Sequence, residues 1–433
     1  MRIETNFKSI SYCRTVAAII GWILFSGLCI SANASTFQLN SETILGVFER
    51  EDPDSQSLQV IPLYEYMQLD LGDVETQPLS LHLHGWVRSD LGDGGYYEDD
   101  SDGELLYGYV EYAPPEGSAN VKLGRQHVYS GVINDSLDGI GVAFPLGPYI
   151  SVSACGGYPV AYQEGNGSSG DGIYGGRAAL HLSPSNEIGV SYKNISDDTD
   201  TVENSAGVDV SLSLTQNWTV DGLSVRNLET DNWKSHVYQT WITVYPFSIK
   251  PFYQRYAFED YFDPEAPGVQ PFRYLQGTDE KLTIVGSDVI WQAFSRADLG
   301  ARFKHYDYDL RAETSRYAAV LMNLYGSGDT LSGVEAGVMD GDADQNKYGL
   351  LRGYFFWDTP LSFVENWFIS GDVVYAHYRQ EIYGRDHSLF ISMGTGKKIG
   401  GENFLAELSG SYSEDPYFDA DFRMMLVLKF TLK

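Results

Sequence analysis

Three observations predict an all-β fold: a single transmembrane antiparallel up-and-down β-barrel of about 18 strands, with roughly 16–20 admissible. Segments of roughly 8–12 residues alternate apolar and polar side chains, the signature of a strand with a different solvent on each face. The connections between them form a short class and a long, acidic class. The N-terminus has the pattern of an export signal.

That signal comes first. Residues 1–14 carry Arg2, Lys8 and Arg14, residues 15–30 (TVAAIIGWILFSGLCI) are uncharged and apolar, and Ala32-Asn33-Ala34 fits the small-residue cleavage pattern. Cleavage is expected after Ala34, dividing the chain into a signal peptide (1–34) and a single barrel (35–433) with short periplasmic turns and long acidic extracellular loops. Cys13 and Cys29 leave with the signal, so Cys155 has no partner for an internal disulfide, and no C-x-x-C-H haem motif is present. The whole chain has 433 residues, with 59 acidic against 29 basic side chains and a formal charge of −30. That balance excludes a nucleic-acid partner, which requires a basic face. Hydrophobic residues make up 43% of the chain, yet no apolar run after the signal could serve as a membrane helix.

The clearest strand is residues 78–90 (PLSLHLHGWVRSD), where Leu79, Leu81, Leu83 and Val87 oppose Ser80, His82, His84, Trp86 and Arg88. The same alternation sets Leu63, Met67, Leu69 and Leu71 against Tyr64, Tyr66, Gln68 and Asp70. It sets Tyr174, Ala178, Leu180 and Leu182 against Arg177 and His181, Val208, Val210 and Leu212 against Asp209 and Ser211, and Leu299, Ala301 and Phe303 against Asp298, Arg302 and Lys304. Trp367, Ile369, Val373 and Tyr375 oppose Ser370 and Asp372. Short connections are read at 72–77, 114–118, 145–148, 183–186 and 215–217, and long ones at 91–104, 156–172, 196–206, 259–280 and 339–346. Trp241, Tyr245, Tyr253, Tyr325, Tyr348 and Tyr375 are assigned to interfacial aromatic girdles.

The last segment, residues 423–433 (RMMLVLKFTLK), alternates to its end and resembles the assembly signal of Gram-negative outer-membrane proteins, although it ends in Lys433 with Phe430 three residues back. Residues 121–142 contain Leu123-Gly124-Arg125-Gln126 followed by Asp138-Gly139, similar to a strand–turn region of porin-like proteins. Taken together, the mature chain resembles an outer-membrane barrel of the porin type. The resemblance implies an outer-membrane location, contact with membrane lipid and lipopolysaccharide, small solutes as cargo, and homotrimers among the assemblies to consider. At about 22 residues per strand plus connection, the mature chain yields the estimate of about 18 strands.

If the apolar face meets lipid, Arg88, Lys122, Arg177, Lys193, Arg302 and Lys304 line the lumen, with His82, His84, His181 and Gln126; Asp298 and Asp372 share that face. Two readings follow. The basic residues favour small polar or anionic solutes, or they pair with carboxylates and stiffen the wall. Residues 156–172, rich in glycine, are the expected constriction loop, with Glu164 and Asp171 facing the basic wall. The acidic loops read chiefly as solvated surface, with loop-bound divalent cations as the alternative and no other cofactor. Residues 340–344 begin like a calcium loop, but Gln345 and Leu351 occupy positions that require Gly and Glu. His82 and His84 have no evident third metal ligand, and no nucleophile or phosphate-binding motif is present, so no enzyme is expected. The function expected is a passive channel; the alternative is a sleeve whose lumen holds a periplasmic electron-transfer partner.

Overall fold

A computed structural model describes residues 37–51, 57–72, 78–97, 99–114, 119–160, 172–197, 200–258, 280–358, 366–400, 403–417 and 420–432. The signal segment 1–34, the terminal Lys433, and Glu164 and Asp171 of the expected constriction loop lie outside the described residues.

The strands are β1 (Phe37–Glu51), β2 (Ser57–Val60), β3 (Pro62–Leu71), β4 (Leu79–Asp90), β5 (Ser101–Tyr112), β6 (Asn120–Ser130), β7 (Ile133–Pro145), β8 (Ile150–Pro159), β9 (Gly172–Ser183), β10 (Asn186–Asp197), β11 (Asp200–Thr215) and β12 (Trp218–Asn227). They continue as β13 (Trp233–Val244), β14 (Phe247–Ala257), β15 (Lys281–Phe294), β16 (Ala297–Tyr308), β17 (Glu313–Tyr325), β18 (Leu331–Gly341), β19 (Tyr348–Asp358), β20 (Trp367–Ile382), β21 (Arg385–Ile399), β22 (Phe404–Glu414) and β23 (Asp421–Leu432). Each pairs antiparallel with its sequence neighbour, and β1 pairs with β23 from Leu39↔Leu432 to Phe48↔Arg423, which closes the sheet. Both β2 and β3 pair with β1, as one strand interrupted at Ile61. The barrel therefore has 22 staves, and closure leaves no free edge.

The count of 22 corrects the expectation of about 18. The estimate assumed a long loop after every second strand, whereas tight hairpins occur at both ends. Two residues separate β9 from β10 and β11 from β12 at one end, and β6 from β7, β10 from β11 and β20 from β21 at the other. The expected long loop 196–206 is mostly strand, since β10 ends at Asp197 and β11 begins at Asp200. With strands about 4.8 Å apart and tilted about 40°, 22 staves give a wall about 44 Å across, wider than side chains alone can fill.

Alternation fixes the two faces. Val285, Val320, Val338, Leu351 and Leu408 sit on the outward parity and are exposed, forming an apolar belt. Outward aromatics border it on both sides: Tyr112, Trp218, Phe247, Trp291, Trp357 and Phe430 near the end where β1 begins and β23 ends, and Tyr158, Tyr174, Tyr253, Tyr375 and Phe422 near the other. An apolar belt between aromatic girdles on a closed barrel is the form of an outer-membrane protein. Of the six girdle residues expected, Tyr253 and Tyr375 take that role. Trp241, Tyr325 and Tyr348 have inward parity, and Tyr245 sits in the β13–β14 turn. A one-residue error of register inverts such an assignment.

The main buried core is not the belt. Val132, Ile133, Leu137, Cys155, Ile173 and Ile195 form a cluster on the inner faces of β7 to β10 and the β6–β7 turn, and Val128 and Val225 pack against it. For β7 to touch β10 from inside, the intervening sheet must curl sharply, and glycines allow it. A Cβ on Gly139 would lie 2.2 Å from the Gly156 carbonyl oxygen, and one on Gly175 would lie 2.8 Å from Ile133 Cδ1.

Candidate functional site

The inner surface of the barrel is the candidate site. Arg88, Lys122, Arg177, Lys193, Arg302, Lys304, His82, His84, His181 and Gln126 all take the inward parity opposite their strands' apolar residues. Carboxylates such as Asp135, Glu187, Glu203, Asp209, Asp288 and Glu335 lie on this same face, and the expected loop 196–206 supplies Glu203.

Most of the inward cations have a carboxylate neighbour. The Arg177 guanidinium donates to both Asp209 and Glu187. Lys193, 8% exposed, lies 3.1 Å from Asp135 and 2.8 Å from Glu203, and Lys234 donates to Glu203 at 2.8 Å. Arg302 pairs with Asp288 at 3.0 Å and Glu335 at 3.3 Å, while the Tyr317 hydroxyl donates to Glu335. Lys122 lies 3.7 Å from Glu111. Lys193 and Lys234 are the most enclosed of these charges, and an isolated ion so buried would cost several kcal/mol. The sequence reading missed Lys234 and Arg352; Arg352 sits opposite Val374 on the inner face and pairs with Asp372. Counting alternation through β19 was the available signal for Arg352; Lys234 sits at an irregularity opposite Val225 and Arg226, where Ser235, Val237 and Trp241 hold the inward parity, so alternation does not reveal it.

Three inward cations have no carboxylate partner among the described residues. Arg88 donates to the Asp99 carbonyl oxygen and lies 3.7 Å from the Tyr97 ring. Lys250 lies 4.2 Å from the Trp241 ring, and Lys304 lies 6.0 Å from that of Phe252.

An element leans into the lumen, and it is not the one expected. The tip of the β6–β7 hairpin reaches the inner faces of β10 and β11. The Val132 N–H donates to Ser191 Oγ at 3.0 Å, Ser130 and Ser153 share a hydroxyl hydrogen bond of 2.9 Å, and Asp135 carries the Lys193 ammonium. Because β8 and β9 lie between these strands in the wall, the hairpin passes inside them. The "LGRQ…DG" segment builds its base. Arg125 Nε and Nη2 each donate at 2.9 Å to Asp138 across the hairpin, and Gln126, 2% exposed, donates to the Lys122 and Gly139 carbonyls.

His82 does not form a metal centre. Its Nδ1 is 2.6 Å from Asp70 and its Nε2 is 2.8 Å from Ser80 Oγ. Among the described residues no group of three or more His, Cys, Asp or Glu side chains could hold a metal ion. The Ser80–His82–Asp70 chain has the order of a hydrolytic triad, but Ser80 is 3% exposed and Glu111 lies 3.7 Å from the same Nε2. Strand pairing on both sides also commits the backbone N–H groups that an oxyanion hole would need. The chain is a wall brace. The carboxylates of residues 340–344 are similarly engaged: Asp340 with Arg379, Asp342 with Thr314, and Asp344 with Lys347.

The fold overlaps loosely with solved outer-membrane proteins. OccAB2 of Acinetobacter baumannii has 9% identity and a TM-score of 0.46, with 92% of this chain and 98% of that one covered. The outer membrane protein opdK of Pseudomonas aeruginosa has 9% identity and a TM-score of 0.42, with 92% and 99% covered. OccK8 (OprE) of the same organism has 9% identity and a TM-score of 0.44, with 92% and 98% covered. No family model and no curated protein matches the chain.

Proposed function

We propose that the protein is a passive outer-membrane channel for small polar solutes, weakly selective for anions and narrowed by the β6–β7 hairpin at about mid-height of the wall. The observation that carries this reading is the contrast between the two faces of one closed sheet. The outer face is an apolar belt between aromatic girdles, and the inner face is lined with charged, hydroxyl and amide groups. A polar face this extensive inside a wall about 44 Å across demands water. Pairing of Lys122, Arg177, Lys193, Arg302 and Arg352 with carboxylates favours weak charge selectivity. Lys250 and Lys304, which have no carboxylate partner among the described residues, tilt it toward anions.

Single-channel recording of the refolded, heat-modifiable protein in a planar bilayer under a salt gradient tests this. Stable conductance steps with a small reversal potential of anion-preferring sign are expected. A membrane-inserted barrel that stays silent would overturn the channel, and clear cation preference would overturn the assignment of selectivity.

A further inference from the structure

We infer that the channel carries a saccharide-binding track, an aromatic strip that descends the inner wall on β3, β4 and β5. This inference rests on the channel reading and names a substrate class for it. The strip comprises Tyr64, Tyr66, His84, Trp86, Tyr107 and Tyr109, all on the inward parity of adjacent strands. Successive ring centroids are 5.9 Å apart for Tyr64–Trp86, 6.2 Å for Tyr64–Tyr66, 6.4 Å for Tyr66–His84, 5.2 Å for His84–Tyr107 and 5.8 Å for Tyr107–Tyr109. Each ring is partly exposed, neither packed away nor fully free. At the mouth, the Tyr97 hydroxyl lies 3.4 Å from that of Tyr64, which prolongs the strip into the β4–β5 loop. Tyr64 lies opposite Arg88 and Tyr109 opposite His82, six residues apart on β4, so the strip runs about 20 Å along the strand.

A continuous run of aromatic faces suits a ligand that is flat, weakly apolar on its faces and polar around its rim, because ring contact and rim hydrogen bonds are then satisfied together. The rim partners are present. Asn40 donates to Gln68 at 3.4 Å, Gln68 donates to Asp70 at 2.8 Å, and Glu42 occupies the same inward face one strand away. Charge decides between ligand classes. The cations bordering the strip are committed: Lys122 to Glu111, Lys429 to Glu42, and Arg88 to the Asp99 carbonyl and the Tyr97 ring. Glu111 and Glu42 are paired with those lysines and Asp70 is held by His82 and Gln68, so the strip offers an aromatic acid no unpaired cation. A neutral polyhydroxylated ring fits both the faces and the charges, and a linear oligosaccharide fits the length.

The test is titration of single-channel current with maltotriose, glucose and benzoate, alongside calorimetric titration of the detergent-solubilised protein with maltotriose. Saturable block by maltotriose is expected, weaker block by glucose, and none by benzoate. The Trp86→Ala and Tyr107→Ala variants should each raise the half-blocking concentration at least tenfold while retaining salt conductance and heat-modifiability, and Trp86→Phe should stay near wild type. An open channel without saturable sugar block, variants that block like wild type, or block by benzoate in place of sugar would each overturn the track. A silent barrel that still binds maltotriose in calorimetry would overturn the channel reading and leave the track standing.

Discussion

Replacing Ile133 by Ala should loosen the hairpin that narrows the lumen. Ile133 is 1% exposed and packs with Leu137, Ile173 and Ile195 in the main apolar core inside the barrel. Truncating a buried isoleucine to alanine costs about 2–5 kcal/mol, because both the transfer energy and the packing of the vacated volume are lost. At about 1.4 kcal/mol per decade, a loss of about 3 kcal/mol shifts a docked–undocked equilibrium by roughly 100-fold. The tethers that remain are polar and reach across a wet lumen: the Val132 N–H to Ser191, the Ser130–Ser153 hydroxyl pair, and Asp135 to Lys193. Single-channel records should therefore change from quiet steps to flicker between two levels, the higher being the undocked state. Ile133→Val, which costs about 0.5–1.5 kcal/mol, should flicker far less. A Ser130→Cys, Ser153→Cys double variant, oxidised, should abolish the flicker. If Ile133→Ala inserts normally and conducts as quietly and at the same level as wild type, the hairpin is not the mobile narrowing element.

Three further outcomes follow from the same geometry. Val320→Arg, in the lipid-facing belt, should destabilise the barrel by about 2–4 kcal/mol in refolding titrations into vesicles, whereas Asn323→Arg on the inner face of the same strand should be tolerated; equal tolerance would refute the assignment of faces. Arg302→Ala leaves Asp288 and Glu335 without their cation and should move the reversal potential toward cations; an unchanged potential would place this pair outside the conducting path. At the start of β15, burial pushes the Glu280 carboxyl up, but N–H groups of Leu310, Lys281 and Arg311 and the Arg311 guanidinium outweigh it and hold it below the ordinary range. A depressed carboxyl gives stability that is present above the unfolded value of about 4.3 and lost as pH falls through the lower folded value. Protection of the amides of Leu310 and Arg311, measured against their intrinsic exchange rates, should fall below about pH 4 in the wild type, and Glu280→Gln should remove that dependence.

How much of this was legible beforehand depends on the range of the interaction. Period-two alternation is local, so the faces of β4, β9, β11 and β16, which carry Arg88, Arg177, Arg302 and Lys304, follow from residues two apart. The girdles failed where the pattern gives no anchor. Trp241, Tyr325 and Tyr348 are as aromatic as Tyr253 and Tyr375, and only pairing, such as Thr219↔Trp241, tells which side they face. The strand count failed because tight hairpins such as Gly131-Val132 and Tyr383-Gly384 carry no long loop to mark them; Gly131 and both residues of the second pair have positive φ.

Charge pairing was hidden for a different reason. Lys193 and Asp135 are 58 residues apart, and Arg177 and Asp209 are 32 apart, so neither pair leaves a spacing signal. An excess of acid in the whole chain was read as an excess in loops, yet a wide aqueous barrel needs acids inside for the same reason that it needs bases there. A wall of like charges at strand spacing would repel itself, and alternating signs across neighbouring strands turn that repulsion into bracing. Among the described residues, Lys250 and Lys304 have no carboxylate partner, and the aromatic rings of β3–β5 take no part in the ion pairing. Groups not spent on holding the wall together are the ones available to a solute. Selectivity in this barrel should therefore follow what is left unpaired on the inner face, not the total charge of the chain.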